Sequence, residues 1–338
     1  MKKQAVFFGE LLMRLATKRH ERFVQAREFD VGYTGAEANA AVSLANYGVD
    51  CTMVSRVPDT EIGQACVNHL RGFGLNTDHI TRGGRRLGTL FLETGASQRP
   101  SAVIYDRTGS AFSELQVGDI DWDNIFPGKD WFHFCGTAPA LGDNLADVVS
   151  EACRCAREHG LTVSCDLNYR SKLWTPEEAR PVMTGLMEHV DVLIGNPHHA
   201  DVMLGITPGG KGEDDATDCA DVAAQLHATF GCRYVAMTMR EDISASETTL
   251  SALLQDGETS HAGTSYTIRH IVDRVGAGDA FAGALTYGLL SGMSPQETIE
   301  FATAAACLKH SVPGDFNLVS LDEVLALARN RNHAGIRR

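Results

Sequence analysis

Near the C-terminal end of this 338-residue chain, Gly276-Ala277-Gly278 is followed directly by Asp279. Phe281, Ala284, Leu285, Gly288 and Leu289 keep one apolar face at helical spacing behind it, so the glycine turn feeds a helix N-terminus. Amide N–H groups in such a turn attract an anion, and the helix dipole adds to that attraction. A carboxylate beside a passive phosphate cradle would repel the bound anion. Beside a phosphoryl group in transit it has a use, taking the proton from an attacking hydroxyl while the amides stabilise the transferred charge. Helix capping is the competing use of an aspartate here, and the local residues leave the two readings even. A dinucleotide fingerprint would need a third glycine where Phe281 stands.

The elements that must position this turn alternate along the chain. Short apolar runs such as QAVFFG, CTMVSRV, WFHFCG, LTVSCDLN, VDVLIGN and RYVAMT read as buried strands. Helical patterns ending near glycines lie between them, among them AEANAAVSLANYG and LADVVSEACRCAREHG. The expectation is an α/β fold, a mostly parallel sheet with helices on both faces, spanning residues 1–338 as one domain. Residues 11–34 and 86–108 break the alternation with β-like runs and no helix. They are expected to form a small antiparallel sheet that acts as a lid. The stretch TIRHIVDRV, residues 267–275, reads as a strand leading into the glycine turn.

A net charge of −13 argues against nucleic acid or an anionic membrane as partner. The N-terminal MKKQAVFFGELLMRL reads as a first strand rather than a signal peptide, because Glu10 and Arg14 interrupt its apolar patch. Nine cysteines scattered through apolar segments read as buried free thiols of a cytoplasmic protein. Cys153 and Cys155 point to different faces of a helix, and no second Cys/His pair stands at finger-like spacing, so no protein-held metal is expected. Gly205 and Gly210-Lys211 match part of a phosphate-binding loop, but Gly212 occupies the position where Ser or Thr must hold magnesium. That segment is expected to be a surface loop.

The stretch TGAEANAAVSLANYG (34–48), taken with DRVGAGDAF, resembles the paired signatures of the ribokinase-like (PfkB) carbohydrate kinases, in the family's order and over nearly the whole chain. The resemblance implies that Asp279 is the catalytic base and that Gly276, Ala277 and Gly278 are the anion hole. GAEAN (35–39), YDRTGSA (105–111), DLNYRSKLW (166–174) and VPGDFN (312–317) are similar to kinases of 2-keto-3-deoxygluconate. Carried over, Gly35, Ala36, Glu37, Ala38, Asn39, Tyr105, Arg107, Arg170 and Asp315 would bind a sugar acid together with Asp279. ATP would be held by Asn168, Asn196, Thr238, Arg240 and Thr303, with Arg274 at its phosphates and Mg²⁺ riding on the nucleotide. A homo-oligomer through the lid is a further expectation, though the sequence itself does not give the oligomeric state.

The implied substrate suits the residues. A carboxylate rewards a planar guanidinium with charge-assisted bonds that a neutral sugar cannot return. Three stretches depart from the family pattern, as does Pro58, which stands where a glycine is usual. Asp273-Arg274 stands where an Asp-Thr pair is usual, placing an extra cation near the phosphates. Asn196-Pro197-His198-His199 has histidine where glutamate is usual, and these adjacent histidines are expected to be solvated caps. Thr238 to Ile243 lacks the glycines of a nucleotide loop, so Arg240 is expected to contact phosphate by charge. The expected reaction is ATP-dependent phosphorylation of 2-keto-3-deoxygluconate on its terminal hydroxyl. The alternatives are a kinase of a neutral sugar, such as fructose or ribose, and a non-catalytic sugar-acid sensor of the same fold.

Overall fold

Strand Gln4–Phe8 shows how the sheet is buried: Val6 and Phe8 enter one hydrophobic core, Ala5 and Phe7 the other. A strand with apolar residues on both faces needs cover on both, and so reads as a continuous apolar run. In the computed structural model, which describes residues 2–210 and 215–329, helices supply that cover. Ala36–Asn46, Glu61–Gly72, Ala277–Leu290 and Pro295–Lys309 pack on one face. Asp143–Glu158, Pro176–Met187, Pro197–Leu204 and Asp215–Phe230 pack on the other. Lys211 and Gly212 of the glycine-rich loop lie outside the described residues.

The large sheet has ten strands among the described residues. Tyr234–Ser244, Val192–Gly195, Thr162–Asp166, Trp131–Cys135, Gln4–Phe8, Asp50–Val57 and Ile80–Arg82 run parallel, in that order. Glu247–Gln255 adds an antiparallel edge to Tyr234–Ser244 and itself pairs with Ser260–Ala262 and Tyr266–Arg269. The strand expected over 267–275 therefore stops at Arg269. Arg269 pairs with Glu247, the first residue of its neighbour, so the chain beyond has no ladder to join.

Segments 11–34 and 86–108 form a separate four-stranded sheet in the order Phe29–Thr34, Leu12–Thr17, Gly88–Glu93, Ala102–Asp106. It is not wholly antiparallel as expected: its central pair, Leu12–Thr17 with Gly88–Glu93, runs parallel. The two segments follow Gln4–Phe8 and Ile80–Arg82, which are parallel members of the large sheet. Both segments therefore leave the core in the same direction, and their first strands meet side by side. Leu12, Ala16, Leu90 and Leu92 bury the inner face of this sheet with Val103, Tyr105 and Val275.

Candidate active site

Between Arg269 and the helix Ala277–Leu290, side chains replace the missing ladder. Arg274 donates to the carbonyls of Ser244 and Ala245, each at 3.1 Å. The buried ammonium of Lys309 reaches the carbonyls of Asp273 and Val312 at 3.3 and 3.2 Å. Arg14, from the small sheet, pairs with Asp273 at 2.8 Å and lies 2.9 Å from Asp315, the second contact ionic rather than an aligned hydrogen bond. Gly276 then turns the chain at φ +84, and a Cβ there would lie 1.9 Å from the carbonyl oxygen of Asp315. Only glycine fits that close approach. The amides of Gly278 and Asp279 fall in the first helical turn, which lacks intrahelical acceptors, and both residues line a cleft of about 900 Å³.

Asp279 does not cap the helix; the N-cap is Gly276, and no side chain bonds there. Its carboxylate instead accepts a 2.7 Å bond from Asn39 Nδ2. Thr34 Oγ1 donates to Asn39 Oδ1 at 3.1 Å, which fixes the amide with its NH₂ toward Asp279. Burial pushes the Asp279 carboxyl up to about 7, against the bond from Asn39, and the nearby Asp166 raises it further. Two neighbours are raised by burial as well, Glu37 to about 8 and Asp166 to about 6. Glu37 is also the acceptor for the Cys135 amide at 3.0 Å.

The residues expected to hold a sugar acid converge on this cleft with one exception. Gly35, Ala36, Glu37, Asn39, Tyr105, Arg107, Arg170 and Asp315 all line it. Ala38 does not; it points into the core and is fully buried. Arg107 sits 5.8 Å above the Tyr105 ring and is paired with buried Glu10. Arg170 is exposed, and among the described residues no carboxylate lies within ion-pair distance of it. Its position follows from Asn168, whose φ of +40 turns the chain sharply off the strand while its amide donates to Asp166 Oδ1 at 3.0 Å.

Asn168, Asn196, Thr238, Arg240 and Arg274 line the cleft too. Thr303 does not: it is buried inside its helix, its hydroxyl donating to the Ile299 carbonyl at 2.7 Å, and Ala306 and His310 face the cleft instead. Positions 303, 306 and 310 share one side of the helix, but a Cβ on Gly263 would lie 2.6 Å from Thr303 Oγ1, so that turn is covered by the chain packed on it and only the later turns reach the cleft. Arg274 and Arg240 both pair with Asp242, at 3.1 and 3.3 Å. Asn196 caps the helix Pro197–Leu204 by accepting from the His199 amide. His199 is not a solvated cap. Burial pushes its imidazole down to about 3, and buried Nδ1 has no hydrogen-bond partner among the described residues. Sequence reasoning missed Glu10, Arg14 and Asp166, which carry no local motif and gain their meaning from partners far along the chain.

The pfkB family carbohydrate kinase signature matches residues 2–320. The chain belongs to that family of carbohydrate kinases. It is 32% identical to a 2-dehydro-3-deoxygalactonokinase of Haloferax volcanii over the full length of both chains. It is 28% identical to a 2-dehydro-3-deoxygluconokinase of Bacillus subtilis, covering 96% of this chain and 95% of the other. The crystal structure of a 2-dehydro-3-deoxygluconokinase from Thermotoga maritima superposes with a TM-score of 0.93 at 47% identity, covering 97% of this chain and 99% of that one. The ribokinase-like fold expected from the paired signatures is thus the fold observed.

Proposed function

We propose that this carbohydrate kinase transfers the γ-phosphoryl group of ATP to the terminal hydroxyl of 2-keto-3-deoxygluconate, a 2-keto-3-deoxy sugar acid. The observation that supports the acid is Arg170, which lies at the same cleft as Asp279 and, among the described residues, has no carboxylate within ion-pair distance. In a chain of net charge −13, that local cation offers a carboxylate a site the overall charge would refuse. Relatives named for the gluconate and galactonate forms favour the same chemical class.

The residues divide the work. Asp279, unprotonated above about 7, accepts the proton as the substrate oxygen attacks the γ-phosphorus and the bond to the ADP oxygen breaks. The Gly276 to Gly278 turn offers amides to the phosphoryl oxygens. Arg170 and Arg107 orient the sugar acid, and Tyr105 closes over it from the small sheet, which acts as a lid excluding water. Arg240 and Arg274 face the nucleotide phosphates. Mg²⁺ would neutralise phosphate charge; Asp166 offers the hard oxygen ligand it prefers, whereas half-buried His199 does not. A coupled assay comparing 2-keto-3-deoxygluconate, its galactonate epimer, fructose and ribose tests the reading. Equal or higher kcat/KM for a neutral sugar would overturn it in favour of the neutral-sugar kinase. Nucleotide binding without turnover on any of them would favour the sensor.

The outer face of the lid supports self-association. Val31, Leu15, Phe91 and Ile104 stand in register across all four strands, with Val31 and Ile104 exposed. Such an apolar row is covered economically by a second copy of the same sheet. Sedimentation of the wild type against Val31→Asp and Ile104→Asp tests this, with a monomeric wild type as the contrary result. The nine free cysteines and the absence, among the described residues, of any helix long and apolar enough to cross a membrane are consistent with a cytoplasmic place of work.

A further inference from the structure

A second cluster of chemically competent side chains lies away from the cleft. Asp123 stands on the short helix Trp122–Ile125, and Cys155 and His159 stand one turn apart at the end of the helix Asp143–Glu158. Their ligand atoms all lie within 4.8 Å of one another. His159 Nε2 is 2.9 Å and Cys155 Sγ 3.4 Å from the same oxygen, Asp123 Oδ1. None of the three lines the catalytic cleft. His159 precedes the strand Thr162–Asp166, whose opposite end carries Asp166 into that cleft. The cluster therefore sits at the far end of the sheet.

We propose that Asp123, Cys155 and His159 form a binding site for a borderline-soft divalent cation of the Zn²⁺ class. The donor set is one thiol sulfur, one imidazole nitrogen and one carboxylate oxygen. That combination suits Zn²⁺ and disfavours Mg²⁺ and Ca²⁺, which take oxygen ligands. Bond lengths of about 2.0–2.3 Å to a tetrahedral ion put neighbouring ligands roughly 3.3–3.7 Å apart, so the observed spacings need only small rotamer shifts. Solvent can supply the fourth ligand, because Asp123 is 83% exposed. His159 is the C-cap of its helix, where the last carbonyls favour a cation. Arg154, the nearby opposing charge, is engaged with Glu158 at 3.0 Å. Binding releases the Cys155 proton to solvent and leaves His159 neutral and ligated. The ion would tie the segment before strand Trp131–Cys135 to the helix that follows it.

The test uses the metal-free full chain, titrated with Zn²⁺ by calorimetry and with Co²⁺ by absorption. The expected result is one equivalent of Zn²⁺ and a Co²⁺ complex with tetrahedral visible bands and a thiolate charge-transfer band. Asp123→Asn, His159→Gln and Cys155→Ser should each weaken Zn²⁺ binding at least about tenfold, and Cys155→Ser should remove the charge-transfer band. Asp123 and His159 are at the surface, so their variants keep the test decisive even if Cys155→Ser folds poorly. Absence of stoichiometric uptake, an octahedral Co²⁺ spectrum without the thiolate band, or Zn²⁺ affinity unchanged in the surface variants would overturn the proposal.

Discussion

Asn39 Nδ2 donates a 2.7 Å hydrogen bond to Asp279 Oδ2, across 240 residues of sequence. The bond joins the helix Ala36–Asn46 to the helix Ala277–Leu290, the two elements that carry the chain's paired signatures. It aims the carboxylate, and by favouring the charged form it opposes the rise that burial imposes.

Asp279→Asn keeps the size and the partner of the side chain but removes the base. Turnover should fall at least about 10²-fold while nucleotide binding persists, as read by single-turnover kinetics and nucleotide titration. Stability should move the other way. Asp279 holds its proton more tightly folded than unfolded, so wild-type stability is lost as pH rises from the ordinary carboxylate range to about 7. The variant lacks that loss, and its Tm should exceed the wild-type value at pH 8, with the gap closing toward pH 4. Near-normal turnover in this variant would remove Asp279 from the chemistry.

Asn39→Leu withdraws the bond that holds the Asp279 carboxyl down. The acid limb of kcat/KM, expected near 7 in the wild type, should shift to higher pH. An unmoved limb would show that another group sets it.

Substrate charge should be read by the two arginines. Arg170→Leu and Arg107→Leu should each lower kcat/KM for the sugar acid, by about 1.5–3 kcal/mol per lost charge-assisted bond. Both should narrow the preference over fructose, and Arg→Lys should restore only part of the loss, since an ammonium cannot reproduce the planar fork. Glu10 holds Arg107 in this structure, so Glu10→Gln should lower KM for the acid if the two carboxylates compete for one guanidinium. An acid-to-neutral ratio untouched by both Leu variants would remove the arginines from substrate recognition.

Arg274→Thr should raise the KM for ATP and leave that for the sugar acid nearly as it was. Arg274 lies beside the Gly276–Gly278 turn and is held on Asp242 and the carbonyls of Ser244 and Ala245, which supports its proposed place at the nucleotide phosphates. A selective rise in the KM of the sugar acid would place it on the other side of the cleft.

Arg14→Leu removes the guanidinium that pairs with Asp273 and nearly inaccessible Asp315, leaving Lys309 as the cation acting on both. Breaking a buried pair in this way typically costs about 3–5 kcal/mol, measurable as a lower urea midpoint at pH 7. Protonation of the stranded carboxyls should recover part of the loss at lower pH. A midpoint unchanged at pH 7 would mean that solvent already compensates both aspartates.

Local pattern determined the strands, helices and glycine turn of this protein, because each rests on interactions between near neighbours. The apolar runs had to become doubly covered strands, and Gly276 supplies the φ of +84 that the turn into the helix uses. From its neighbours alone Asp279 stays even between capping and acid–base chemistry; the folded chain shows no cap bond and a bond from Asn39, and the proposed role as base rests on those features. Tertiary structure alone decided the parallel pair in the small sheet, which follows from where two distant segments leave the core. It also turned Ala38 and Thr303 inward, paired Arg107 with Glu10, and left Arg170 with no carboxylate within ion-pair distance among the described residues. The physical reason is range. Periodicity and turn chemistry act over a few residues, whereas burial, ion pairing and pKa shifts depend on groups that only folding brings together.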